Sequence, residues 1–233
     1  MSTQPEPSVS DAGQNASVEI ARTEGATELY VFFGGIATGL GMPPFEFYNA
    51  ARIVDAHKVF VRDFRQSWYH AGLSGVSRDI PSTAAFLERT LDEIGPKRVT
   101  FVGNSMGGFA AMLFATLTGR GRAIAFAPQT FVSPSLRRQH RDRRWKREIR
   151  GTWLRAAFKP KIYDLRPLLL ERPPAHPVSI FVSEEDRLDS VHAEHMRGVP
   201  GVTIHESATG GHNVVKVLRD EGRLPAILAG EVD

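Results

Sequence analysis

Residues Gly103-Asn104-Ser105-Met106-Gly107, followed by Gly108, have a spacing that can do chemistry. A serine lifted above a sheet as a nucleophile must sit on a very tight strand-to-helix turn. Side chains two residues before and two after it would collide across that turn, so both positions become glycine. The apolar run before this segment reads as a strand, and the small-residue run after it reads as a helix. That setting puts the hydroxyl at a helix N-terminus, where free N–H groups and the helix dipole favour a developing anion. The absence of cysteine excludes thiol nucleophiles, cysteine-ligated metal sites and disulfide scaffolds.

Such a turn needs strands and helices to hold it, and their pattern is legible. Leu29–Phe33, Lys58–Phe64, Arg98–Val102, Ala123–Phe126, Val178–Val182 and Val202–His205 read as short buried strands. Ser77–Ile94 has apolar residues at helical spacing. Met106–Leu117, Ser190–Met196 and Val214–Leu218 are the other expected helices. Strands alternating with helices predict an α/β fold, a mostly parallel sheet with helices on both faces. Ligands in such sheets bind beyond the carboxyl ends of the strands. Residues 1–15 have the composition of a disordered tail, and 16–233 form one domain.

With its strand, turn and helix, the segment around Ser105 resembles the nucleophile elbow of the α/β-hydrolase superfamily, and the resemblance runs from about Leu29 to Leu228. It implies a triad in the chain order serine, acid, histidine. After Val178–Val182 come Glu184, Glu185, Asp186 and Asp189. The loop looks like the family's, whose acid comes three residues after the first turn residue; that resemblance selects Asp186, with Asp189 one turn further on as the runner-up and Glu185 and Glu184 behind them. His212, in Gly210-Gly211-His212, falls where the family carries its general base. A neutral imidazole there takes the serine proton and returns it to the leaving group. The implied oxyanion hole uses the Met106 N–H and one from the loop after Phe33, at Gly35 or Ile36. Donors of this kind contribute roughly 3–4 kcal/mol to acylation. This chain has Phe-Gly-Gly where many relatives have His-Gly.

Two loops are expected on the catalytic rim. One is the Gly- and Pro-rich stretch Ala37–Tyr48. The other contains Trp68, Tyr69 and His70, which are read as substrate contacts, with loop packing as the alternative. His192 and His195 share a helix face, but no third ligand accompanies them, so no metal and no cofactor are expected; an exposed face is the expectation. His57, His140, His176 and His205 have no motif context.

Between residues 129 and 176 the pattern breaks where the superfamily inserts a helical cap. Phe131–Arg155 holds nine Lys or Arg against two acids, Asp142 and Glu148. Trp145, Ile149 and Trp153 fall four apart, which suggests one apolar helix stripe with cations around it. Such a face either is simply solvated or concentrates an anionic partner. The expectation is a cap over Ser105 whose Arg141, Arg143 and Arg144 recruit an anionic substrate or an acidic carrier. No nucleic-acid motif accompanies it, so nucleic acid is not expected.

The functional expectation is therefore a serine hydrolase of the carboxylesterase or thioesterase type, acting on a small-molecule or carrier-bound acyl substrate. An acyltransferase with the same triad and a non-catalytic binding module on the same scaffold are the alternatives. No apolar run approaches a membrane span. The N-terminal residues lack the charge and apolar core of a signal peptide, and a cytoplasmic location is expected.

Overall fold

The computed structural model describes residues 16–36, 50–155 and 161–231. Seven strands form one sheet: β1 Val18–Ala21, β2 Glu28–Phe33, β3 His57–Val61, β4 Arg98–Asn104, β5 Arg122–Phe126, β6 Val178–Ser183 and β7 Val202–Ser207. Their order is β1-β3-β2-β4-β5-β6-β7. All neighbours are parallel except β1, which runs antiparallel to β3 at the edge. The short and partly exposed β1 escapes the sequence pattern because it lacks a continuous apolar run.

Side chains alternate along β2. Leu29, Val31 and Phe33 enter one core, and Tyr30 and Phe32 enter the other. The first core is covered by α1 (Ile80–Ile94) and α2 (Met106–Thr118), and the second by α7 (Val214–Asp220) and α8 (Leu224–Ala229). The expected two-faced arrangement is the one observed. Residues 106–116 of α2 are all buried, which explains why its sequence is apolar all round.

Local chemistry corrects several boundaries. α1 begins at Ile80 rather than Ser77 because Asp79 and Ser82 form a reciprocal capping box there. β3 stops at Val61 rather than Phe64. The Asp63 carboxylate instead accepts the amides of Arg65, Ser67 and Tyr69 and folds the chain into a turn. α6 spans Arg187–His195, starting three residues before the expected Ser190 because Asp186 caps it.

Among the described residues, three helices occupy the insertion between β5 and β6: α3 Pro134–Gln139, α4 Lys146–Arg155 and α5 Leu165–Glu171. The insertion leaves and re-enters through one neck. There Phe131 bridges Asp164, Val132 N–H donates to Tyr163 and Leu165 N–H donates to Thr130. Leu165 and Leu169 of α5 join the first core beside α2. Ile149 is buried, and Trp145 and Trp153 pack against that core, so the apolar stripe faces inward, although Trp145 precedes α4. Among the described residues no helix is long and apolar enough to cross a membrane.

Candidate active site

Ser105 joins β4 to α2 with φ 55° and ψ −117°, a conformation that side chains rarely adopt. It is held there by its own backbone. Its N–H donates to Phe126 on the neighbouring strand at 2.9 Å, and its carbonyl accepts from Phe109 and Gln129. The glycines are required by contact rather than by their own torsions. A Cβ at Gly103 would overlap the carbonyl of Gly107, and one at Gly107 would overlap the carbonyl of Phe33. At Gly108 it would lie 2.9 Å from the Pro128 side chain. The elbow and the loop after β2 are therefore pressed together, backbone on backbone.

The His212 ring closes over the serine. Its Nε2 lies 3.1 Å from Ser105 Oγ, and its Nδ1 lies 2.7 Å from Asp189 Oδ2. Gly210 (φ 117°) and Gly211 (φ 51°) bend the loop that delivers it. Gly210 N–H is pinned by Glu185 Oε2 at 2.9 Å, which ties the loop after β6 to the loop after β7.

The carboxylate facing His212 is Asp189, and this corrects the expectation of Asp186. Asp186 is the N-cap of α6, and its Oδ1 accepts the amides of Leu188 and Asp189 at 2.9 and 3.0 Å. That duty turns its carboxylate back onto its own helix. Asp189, in the first turn, projects from the helix and is fully buried.

A second group reaches Asp189 from the insertion. Arg144 Nη1 lies 2.6 Å from Asp189 Oδ1, so the two carboxylate oxygens are divided between a histidine and an arginine. Arg144 also contacts Asp142, which in turn meets Arg137 and His192 Nε2. Burial alone would raise the Asp189 pKa, but His212 and Arg144 outweigh it and hold the group below the usual carboxylate range. Burial likewise opposes ionisation of Asp142, yet His192, Arg144 and Arg137 hold it well below that range. Burial keeps His192 below the pKa of free imidazole. Asp186, Asp189 and His212 bring three ligand-type atoms within 4.8 Å of one another. The positive charge in contact with that cluster is the Arg144 guanidinium.

Three further expectations change. Trp68, Tyr69 and His70, expected on the rim as substrate contacts, are all 0% exposed and pack inside the fold. Trp68 Nε1 donates to Gln129, Tyr69 hydroxyl donates to Gly34, and the His70 ring sits between the carbonyls of Ser67 and Ile162. Their positions support the elbow and the neck of the insertion. His192 and His195 do not form an exposed face either: His192 lies against Thr130 and Asp142, and His195 Nε2 lies 2.7 Å from Asp164. Finally, Arg144 and Arg137 are not part of a solvated stripe, since both are spent on internal carboxylates.

Met106 begins α2, so its N–H has no partner within the helix. The two expected loop donors, Gly35 and Ile36, directly follow Gly34, whose N–H donates to the Val61 carbonyl at the end of β3. The expected rim loop Ala37–Tyr48 lies outside the described residues. Sequence reasoning placed Arg144 on the outer recruiting face and missed its pairing with Asp189 and Asp142. The only signal was the basic run, which carries no indication of which cation turns inward.

Residues 36–216 match the model of the Alpha/beta hydrolase family. The chain belongs to that family. No curated protein sequence matches this hydrolase-family chain significantly. Its fold is similar to MenH from S. aureus, with a TM-score of 0.60 and 16% identity over 92% of this chain and 97% of that one. It is also similar to the capsule O-acetyltransferase of Neisseria meningitidis serogroup A, with a TM-score of 0.63 and 11% identity over 89% and 90% of the two chains. The carboxylesterase CesB from Bacillus subtilis is a third, with a TM-score of 0.56 and 16% identity over 93% and 89%.

Proposed function

We propose that this chain is a serine hydrolase that cleaves an ester or thioester of a small-molecule acyl substrate through an acyl-enzyme. Ser105 is the nucleophile, His212 the general base and Asp189 the orienting acid. The observation that carries this reading is the single imidazole joined at one nitrogen to Ser105 Oγ and at the other to a buried carboxylate.

In the first half-reaction Ser105 Oγ bonds to the carbonyl carbon while its proton passes to His212 Nε2. The developing oxyanion is held by the Met106 N–H and by one from Gly35 or Ile36. The carbonyl re-forms, the bond to the leaving alcohol or thiol breaks, and His212 returns the proton to the leaving group. Water then repeats the sequence and frees Ser105. Asp189 keeps Nδ1 protonated, so that Nε2 presents a lone pair to the serine.

Labelling with a fluorophosphonate probe, read by intact mass, tests the assignment. The wild type gains one adduct and hydrolyses members of an ester and thioester panel. Ser105→Ala folds and does neither. Labelling of the alanine variant at the wild-type rate overturns the reading.

A further inference from the structure

The insertion carries a cavity of about 350 Å³ between α3 and α4. Arg138, Arg141, Arg143, Lys146 and Arg150 line it, and all five are exposed. Among the described residues none of these five side chains has a carboxylate or hydrogen-bond partner. The one acid in the lining, Asp142, is already matched by Arg137, Arg144 and His192. The cavity therefore holds an uncompensated cluster of positive charge.

Its floor is apolar: Ile149 is 1% exposed, and Trp153 is fixed by its Nε1 donating to the Val132 carbonyl at 3.1 Å. The Trp153 ring packs in part against the core and borders the cavity with the rest. The turn joining the two helices is built rather than loose. Arg141 and Trp145 have φ values of 55° and 52°, which side chains seldom adopt, and Arg144 N–H donates to Asp142 Oδ1 while Arg137 donates to the Arg144 carbonyl. Conformations of this kind persist only where the surroundings hold them, and they cluster at binding sites.

We infer that this cavity is a binding site for a phosphorylated small molecule of the nucleotide class, its phosphates on the arginine and lysine side chains and its flat ring on Trp153. Guanidinium groups match phosphate oxygens in pairs and stack on aromatic faces, and an indole stacks on a base. A volume of a few hundred Å³ is that of an ordinary small-molecule site. Without a ligand, five like charges within a Debye length repel one another, and a polyanion removes that repulsion. The inference does not depend on the chemistry at Ser105.

The test is a calorimetric titration of the full chain as its Ser105→Ala variant, so that turnover plays no part. The probes are ATP, inorganic pyrophosphate, adenosine and poly-glutamate. ATP binds at one site, pyrophosphate more weakly and adenosine without detectable heat, and the ATP affinity falls as salt is raised. Adding Arg141→Glu and Arg150→Glu lowers the ATP affinity by about tenfold or more, and Arg219→Glu outside the cavity leaves it unchanged. If the double Glu variant does not fold, the double Gln variant carries the test with a loss of about threefold. Failure of both ATP and pyrophosphate to saturate overturns the inference. So does equal ATP affinity in the charge variants that fold. Tighter binding of poly-glutamate than of ATP overturns it too, and assigns the face to an acidic protein.

Discussion

Around Ser105 the contacts are backbone against backbone, whereas around Asp189 they are charged side chains from distant parts of the chain. The elbow is fixed by Gly103, Gly107 and Gly108, each in contact with a carbonyl or a proline. Asp189 is fixed by Arg144, which lies 45 residues away, and by His212, 23 residues away. The first region is rigid because no space remains. The second is rigid only while its charges persist. A methyl group should damage the first, and a proton or a neutral substitution should damage the second.

The largest effect expected sharpens the choice between the two aspartates. Asp189→Asn should lower kcat by about 10⁴-fold, as loss of a triad carboxylate does when it leaves the wrong tautomer. Asp186→Ala should instead cost about 1 kcal/mol of stability through the lost helix cap, with a small effect on kcat. Steady-state kinetics and denaturant titration of both variants check this, and the opposite ranking would return the acid to Asp186.

The next two perturbations set the regions against each other through stability. Arg144→Met leaves Asp189 with His212 alone, and Asp142 with Arg137 and His192, and should cost about 3–5 kcal/mol, the usual penalty for breaking a buried ion pair from one side. Gly107→Ala should cost about 1–3 kcal/mol or more, because the added carbon meets the Phe33 carbonyl, which cannot yield without moving β2. Urea unfolding measures both. The comparison predicts that added salt or mild acid narrows the gap between wild type and Arg144→Met but not the gap for Gly107→Ala.

The smallest effect is the pH profile of stability. Burial holds His70, His192 and His205 below the pKa of free imidazole. Above about pH 6.5 they are neutral in both the folded and unfolded chain. As pH falls below that value the unfolded chain takes up protons first, and stability declines. Asp142 and Asp189 are depressed instead, so their contribution is fully present above about pH 4 and is lost as pH falls through their lower folded values. Thermal melts from pH 8 to pH 3 should show a first decline below about pH 6.5 and a second below about pH 4. Absence of the second decline would mean that the charged region is not what holds Asp189 in place.

What the sequence determined by itself is local. The parallel strands, the helix on each face and the elbow at Ser105 follow from apolar periodicity and from glycines at fixed offsets, each set within a few residues, and the choice of His212 came from the resemblance those elements carry. The edge strand β1 and the start of α6 were less legible, because a partly exposed strand lacks the pattern and a capping aspartate looks like a catalytic one. Tertiary structure alone decided which acid meets His212, that Trp68, Tyr69 and His70 are buried supports, and that Arg144 turns inward while Arg141 and Arg143 stay outside. The reason is physical. A backbone turn is constrained by its own neighbours, but a charged side chain is placed by whichever opposite charge the fold brings within a few ångströms, and sequence distance carries no record of that meeting.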